Sequence, residues 1–563
     1  MAELSAVQFL PVSLSLGERA GVGRNRTAER QLRRLGTAHP ITIRTCLLLL
    51  ALLVLVTAPL PAYDLIIQNG RVIDGTGNPA FFADVAVENG RIAAIGKVTN
   101  EALIVIDARG LVVTPGFIDV HTHAEDVLDL PLAENFVRMG VTTLMLGNCG
   151  SSALDVKAFL ARVESTNVSV NIATLIGHGS VRGKAMGGSF MRPPNANEME
   201  AMKTMVAEAM QNGAFGLSTG LIYLPGTFAK TDEIVELARV CAKYDGIYAS
   251  HMRSESSEIK EALAELFRVA REAKIRAEIS HIKLSGGRVN WGKTDEIIRL
   301  IEDARSEGLD VTQDLYLYTA SSTSLSQLVP EEAREGEKLP ERLRDSSERQ
   351  RIIDEMKGSL KRNKRDDYGY VMIAEYKRDP GLNGLRIPAA AKRHFGSNSL
   401  EDQINLVLTI QTNGGATAVF HGISEDDLQQ FLKHPNTMVA SDSGVRRWAE
   451  GVPHPRGYGN NARLLGRYVR ELQLVRLEDA VRRMTSLPAT TFRIRDRGLL
   501  RPGYWADLVL FDPGKVQEHA TFDEPHHYAT GFAYVLVNGV TVVKDDVHTR
   551  ERPGKALRHQ PQL

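Results

Sequence analysis

Four histidines, one cysteine and one aspartate draw attention by their types and by the residues that precede them. His121 and His123 stand two apart in FIDVHTH (117–123). Residues two apart on a strand point to the same side, so both imidazoles can face one ion. Cys149 ends VTTLMLGNC (141–149), after Asn148. His251 lies in GIYASHM (246–252), His281 in RAEISHIK (276–283) and Asp442 in TMVASDSG (437–444). Taken singly, each has an ordinary structural use. A strand-end histidine can be hydrogen-bonded structure, a buried cysteine is a small hydrophobe, and an aspartate in a Ser-Asp-Ser turn can cap a helix. Their recurrence at the ends of five separate apolar runs points instead to one metal site. Imidazole, thiolate and carboxylate together suit zinc, and a thiolate with two imidazoles leaves a fourth position for water. Zinc brings the pKa of that water toward about 7. A free carboxylate oxygen nearby can then take and return the proton, and Asp442 is the candidate.

These residues need a scaffold that gathers strand ends. Eight short runs read as buried strands: 117–123, 141–149, 170–178, 214–221, 246–252, 276–283, 309–316 and 437–444. Amphipathic helical stretches such as KTDEIVELARVCAKY (230–244) and SSEIKEALAELFRVAREA (256–273) separate most of them. Strands alternating with helices predict an α/β fold, a (β/α)8 barrel over 116–494, with its chemistry where the strands end. TAVFHG (417–422) offers a ninth strand. The charged stretch 327–402 breaks the rhythm and reads as an inserted helical subdomain between strands seven and eight. Before and after the barrel, runs such as YDLIIQNGRVIDGTG, ADVAVENGRIAAIG, WADLVLFDP and FAYVLVNGVTVVKDD alternate in hydrophobicity and break at Asn-Gly. They predict hairpins, and the economical arrangement is one small β-sandwich from 63–115 plus 495–550.

The chain of 563 residues carries 68 Lys+Arg and 68 Asp+Glu, a net charge of zero. That balance argues against a nucleic-acid partner, which calls for a basic excess. Three cysteines exclude a disulfide scaffold. Cys241 lies on an amphipathic helix beside Leu237 and reads as core. Cys46 opens the thirteen-residue apolar run Cys46–Ala58, with Arg33, Arg34 and Arg44 before it and small or proline residues after it. This is the pattern of a secretory signal cleaved near Ala62, so an exported, periplasmic or secreted protein is expected, touching membrane only through that segment. Residues 1–62 then comprise a disordered extension and the signal.

TPGFIDVHTHAED, MGVTTLMLGNCGSS, GAFGLSTGLIYLPGTFA, GIYASHMRSE, ISHIKLSG, ASDSG, HPRGYGNNARLLGRYVRE and DRGLLRPGYWADLVLFDP together resemble the amidohydrolase superfamily. Within it they are similar to the N-acyl-D-amino-acid deacylases, or D-aminoacylases. The resemblance spans the chain from Tyr63 to Arg558. It implies that Cys149, His251 and His281 hold a tight zinc, and that His121, His123 and Asp442 form a weaker second site with Cys149 able to bridge. It implies Arg456, Lys283 and Tyr316 for the substrate α-carboxylate, with Tyr223 and Ser322 lining the pocket. A guanidinium fork suits a carboxylate. The implied substrate is a small N-acyl-D-amino acid. The chain departs from the family pattern at Glu125, followed by Asp126, at Tyr316-Leu317-Tyr318, and at Ile423. These departures bear on side-chain specificity. Two other readings use the same residues: hydrolysis of cyclic amides (hydantoinase or dihydroorotase type) or of dipeptides, and a non-catalytic exported binding protein.

Overall fold

A computed structural model describes residues 63–561; the signal and leader expectations for 1–62 lie outside the described residues. Eight parallel strands form the barrel in chain order. They are Phe117–Asp119, Val141–Leu146, Asn171–Thr174 continuing as Ile176–Gly177, Gly216–Gly220, Ile247–His251, Arg276–Ile279, Val311–Leu315 and Thr437–Val439. Neighbours pair in sequence order, for example Gly220 with His251 and Leu315 with Val439. The ring closes through a parallel bridge between Thr122 and Ser443. Every residue of Val141–Leu146 and of Ile247–His251 is buried, as expected of strands covered on both faces.

The helix Ile259–Ala273 shows why the covering layer folds as it does. It buries Ile259, Leu263, Leu266, Phe267 and Ala270, spaced three and four apart, against the sheet. Cys241 is buried on the helix Thr231–Ala242, in the core. Inside the barrel, Ile118, Met145, Ala173, Ala249, Met438 and Ala440 pack with Phe492. Ala249 and Ala440 stand two residues before His251 and Asp442. The same face of each strand is therefore apolar below and metal-capable at its end.

Both chain ends meet in one nine-stranded sheet, from Tyr63–Val72, Phe81–Glu88, Arg91–Gly96, Ala102–Asp107 and Val112–Pro115 at one end to Leu508–Phe511, Phe532–Val537, Val540–Lys544 and Val547–His548 at the other. Two of its hairpins turn at Asn89-Gly90 and Asn538-Gly539, all four residues with positive φ. The turns also touch: a Cβ on Gly539 would lie 2.7 Å from the Gly90 Cα. The sheet is fastened to the barrel at Asp507. Its carboxylate accepts from Asn171 Nδ2 (3.2 Å) and the Asn538 amide (2.7 Å) and pairs with buried Arg497, while its carbonyl accepts from Gly116 N (2.7 Å).

The insertion differs from the sequence expectation in extent and in class. It contains an antiparallel sheet of Ala320–Ser324, Val371–Glu375 and Thr417–His421. Its own apolar core includes Leu325, Ile353, Ile373, Ile387, Val407 and Ala418. It therefore extends beyond 327–402 on both sides and is not purely helical. The ninth candidate, 417–422, is its central strand and not a barrel strand. Helical composition hid this, because two of the three strands lie outside the charged stretch that marked the insertion.

Removing one partner of a buried ion pair strands the other, at about 3–5 kcal/mol. Asp507→Ala is expected to lower the thermal midpoint by several degrees. Scanning calorimetry checks this, and an unchanged midpoint would show that the junction contributes nothing to stability.

Candidate metal centre

The closing contact of the barrel sets the first two ligands. The Asp442 amide donates to the His121 carbonyl (2.9 Å) and the His123 amide to the Ser443 carbonyl (2.9 Å). His121 Nε2 and His123 Nε2 then lie 3.7 and 3.3 Å from Asp442 Oδ1. Cys149 follows the second strand, with Sγ 3.3 Å from His121 Nε2 and 3.6 Å from both His251 Nδ1 and His281 Nε2. Three overlapping donor groups result: His121, His123 and Cys149; Cys149, His251 and His281; and His121, His281 and Asp442. Zinc bonds of about 2.3 Å to sulfur and about 2.1 Å to nitrogen, at a tetrahedral angle, put S and N about 3.6 Å apart. The Cys149, His251 and His281 spacings meet that requirement, so these side chains fit a zinc ion.

Three of the six donors hold left-handed backbone: Cys149 (φ 53°), His281 (φ 39°) and Asp442 (φ 50°). Such angles are uncommon outside glycine and cluster at functional sites. Here they turn side chains at strand ends toward one point.

Behind the donors stands a layer of carboxylates. Asp314 Oδ2 lies 3.2 Å from His121 Nδ1, and Asp314 Oδ1 accepts from the His281 amide (3.1 Å). Glu255 Oε1 lies 2.8 Å from His281 Nδ1. Asp119 accepts from the amides of His121 (3.2 Å) and Ser441 (3.1 Å). A carboxylate on the far nitrogen fixes the orientation of a ligand histidine and strengthens it as a donor. None of these acids was singled out in the sequence. The available signal was a lone carboxylate inside a buried strand run, as in VTQDL (311–315).

The electrostatics follow from this packing. Burial alone would raise the Cys149 thiol, but the charge of His121 and hydrogen bonds from His121, His123 and His251 hold it well below its usual range. Burial opposes charge on His121, yet the Cys149 thiolate and Asp314 raise it well above the ordinary imidazole value. Burial likewise opposes ionisation of Asp442, and Arg456 and the hydrogen bond to His123 more than reverse it. Glu255, though buried, is brought down to about 2 by Lys283 and His281. Burial pushes Asp119 up to about 7. The cluster thus concentrates anionic donors where a cation would sit.

The remaining sequence-derived residues gather around this centre. Arg456 Nη1 lies 2.9 Å from Asp442 Oδ2, and Nη2 donates to the Ser322 carbonyl (3.3 Å). The Nη1 contact is not aligned as a hydrogen bond, so Nε and Nη1 are buried donors without an acceptor. His454 anchors the loop: its Nδ1 accepts from the Arg456 amide (3.1 Å) and its Nε2 meets the Ala320 carbonyl (2.8 Å). Lys283 is buried and already paired with Glu255 (2.5 Å). Tyr223 meets His251 edge-on, centroids 5.0 Å apart, and its hydroxyl accepts from Thr323 (3.0 Å). Tyr316 lies under Arg456 and Lys283, 4.4 and 5.6 Å from its centroid, and lines a small inner cavity with Tyr318 and Ile423. Glu125 accepts from the Gly147 amide (3.0 Å) and bears no donor contact to the centre.

Asp442 and Ser322 stand where three cavities meet. One, of about 430 Å³, contains Arg456. A second, of about 210 Å³, contains His251, His281 and Lys283. A third, of about 500 Å³, contains Cys149, Tyr223, Leu224 and Pro225.

The sequence profile described as "Amidohydrolase family" matches residues 104–326 and 344–543. The chain is 35% identical to the D-aminoacylase of Alcaligenes xylosoxydans xylosoxydans over 523 residues, 88% of this chain and 97% of that one. It is 34% identical to that organism's N-acyl-D-glutamate deacylase over 525 residues, 89% and 97%. The crystal structure of the N-acyl-D-glutamate deacylase from Bordetella bronchiseptica, complexed with zinc and a phosphonate inhibitor, superposes with a TM-score of 0.75 at 34% identity. It covers 88% of this chain and all of that one.

Cys149 belongs to two of the three groups, as do His121 and His281, and it is the thiolate among them. Cys149→Ala is expected to lose zinc on dialysis against a weak chelator while wild type retains it. Metal content by mass spectrometry reads the result, and full retention in the variant would overturn the ligand assignment.

Proposed function

The chain belongs to the amidohydrolase family, and from that premise we propose that it is a zinc-dependent deacylase that cleaves N-acyl-D-amino acids to a carboxylate and a free D-amino acid. One observation carries the reading. A donor set spaced for zinc lies against an ionised carboxylate, Asp442, which itself lies against a buried arginine with unsatisfied donors. A neutral ring amide such as a hydantoin has no carboxylate to offer that arginine, whereas an N-acyl amino acid does. The D configuration follows from the likeness to relatives whose names specify D substrates.

Cys149, His251 and His281 would hold the tight ion, with His121, His123 and Asp442 as the weaker second site. When bound, zinc supplies the positive charge that acidifies a water and stabilises the developing oxyanion. Arg456, whose Nε and Nη1 have no acceptor at rest, takes the substrate α-carboxylate along one edge of its guanidinium. That engagement draws its charge away from Asp442, so Asp442 grows more basic once substrate is seated. Asp442 then accepts the proton of the attacking water and returns it to the leaving nitrogen, which makes that nitrogen a neutral amine. Tyr223 and Ser322 border the reacting amide and limit its rotation. Lys283 contributes positive potential while remaining tied to Glu255.

With zinc present, N-acetyl-D-amino acids are expected to be hydrolysed and their L enantiomers not. Asp442→Asn should lower kcat by about 10²- to 10⁴-fold. Arg456→Met should lower kcat/KM by about 10- to 100-fold. Steady-state assays of released amine check all three. Unchanged kcat/KM in Arg456→Met would redirect the assignment to a neutral ring substrate.

We propose as well that the protein is exported, on the strength of the Cys46–Ala58 run, the arginines before it and the small residues after it. Expression of the full chain should give a product beginning near residue 63 in the periplasmic or secreted fraction. N-terminal sequencing checks this, and uncleaved cytosolic protein would refute it.

A further inference from the structure

The second cavity holds a cation that the catalytic reading does not use. Arg365 is half-buried and borders the same space as His251, His281 and Lys283. Its guanidinium stacks on Tyr370, 3.6 Å from the ring centroid. Two glycines make room for it: a Cβ on Gly287 or on Gly422 would come within 2.9 Å of Nη2. Among the described residues it has no carboxylate within ion-pair distance, and Tyr370 is the one ionisable group that acts on its charge. Of the acids of this cavity, Glu255 is already engaged by Lys283 and His281, and Asp442 by His123 and Arg456. A partly desolvated arginine is ordinarily paired, because an unpaired charge becomes costlier as it leaves water. A packed, uncompensated guanidinium facing a substrate cavity therefore has the character of an anion subsite.

The three cavities that meet at Asp442 correspond to the three arms of an N-acyl amino acid. The arm with Arg456 suits the α-carboxylate, and the arm with Leu224 and Pro225 suits the acyl group. The arm with Arg365 is left for the amino-acid side chain. Resting on the deacylase reading, we propose that Arg365 is a specificity-determining residue and that the preferred substrates carry an anionic side chain, N-acyl-D-glutamate or N-acyl-D-aspartate. Arg365 binds the distal carboxylate through its fork while Tyr370 fixes the plane of the guanidinium.

The test compares N-acetyl-D-glutamate with its neutral isostere N-acetyl-D-glutamine, in the zinc-loaded wild type and in Arg365→Gln and Arg365→Lys. Wild type should favour glutamate by about 10- to 100-fold in kcat/KM. Arg365→Gln should abolish that preference by losing glutamate turnover with glutamine turnover unchanged. Arg365→Lys should restore part of it. A merely structural role for Arg365 would lower both substrates together, and that result overturns the proposal. So does a wild type that turns over both equally, or one whose charge preference follows an anionic acyl group in N-succinyl-D-alanine. Those outcomes leave the deacylase assignment standing, because a D substrate is still cleaved. Hydrolysis of no N-acyl-D-amino acid would sink that assignment and this inference with it.

Discussion

The hydrogen bonds that join the first barrel strand to the last, from the Asp442 amide to the His121 carbonyl and from the His123 amide to the Ser443 carbonyl, are the contacts on which the centre depends. His121 and His123 come from the start of the barrel and Asp442 from its end, with the inserted subdomain between. Only ring closure brings them within 4 Å. The apolar packing inside the barrel serves the same end. It fills the lower interior with Ile118, Met145, Ala249 and Met438, so the polar ends of the strands gather at one mouth. The composite sheet supports the closure from outside, through Asp507 and its bonds to Asn171 and Asn538.

The donor positions are also where backbone strain is held. Cys149, His281 and Asp442 adopt left-handed φ without being glycine, a conformation that costs of order 1 kcal/mol or more each. Neighbouring bonds over-determine them. The His281 amide is held by Asp314 and the Asp442 amide by the His121 carbonyl, while the Gly150 amide beside Cys149 is held by Ser218. The ligand positions are thus set by tertiary bonds and not by local preference, so a donor set can stand ready for its ion.

This explains what was readable from the chain and what was not. The barrel strands and the six donors could be read because each combines a short apolar run with a polar end, a pattern with a strand's period, whereas Arg456, in the loop HPRGYG, came only from the family resemblance. The supporting acids Asp314, Glu255 and Asp119 were not separable from ordinary strand and loop acids, since their role exists only through contacts across the barrel. The insertion was recognised by its charge, so its limits were drawn where charge is dense and not where its strands Ala320–Ser324 and Thr417–His421 lie. Arg365 sits in KRNKRDD, a stretch whose composition marks a solvated surface. Only the packing of Tyr370, Gly287 and Gly422 around it sets it apart from its neighbours.

A chain with no net charge can still hold steep local fields, and the arrangement of charge here follows a rule of compensation. Lys283 is matched by Glu255, Arg497 by Asp507, and Arg456 in part by Asp442. The partial match at Arg456 is informative. Asp442 must be ionised to accept a proton, yet a carboxylate locked to a guanidinium is a weak base. A contact that is close but unaligned resolves the conflict. On the proposed mechanism it keeps Asp442 charged at rest and leaves donors of Arg456 free for an incoming carboxylate. In the proposed mechanism, substrate binding and activation of the base then become one event, because both draw on the same guanidinium.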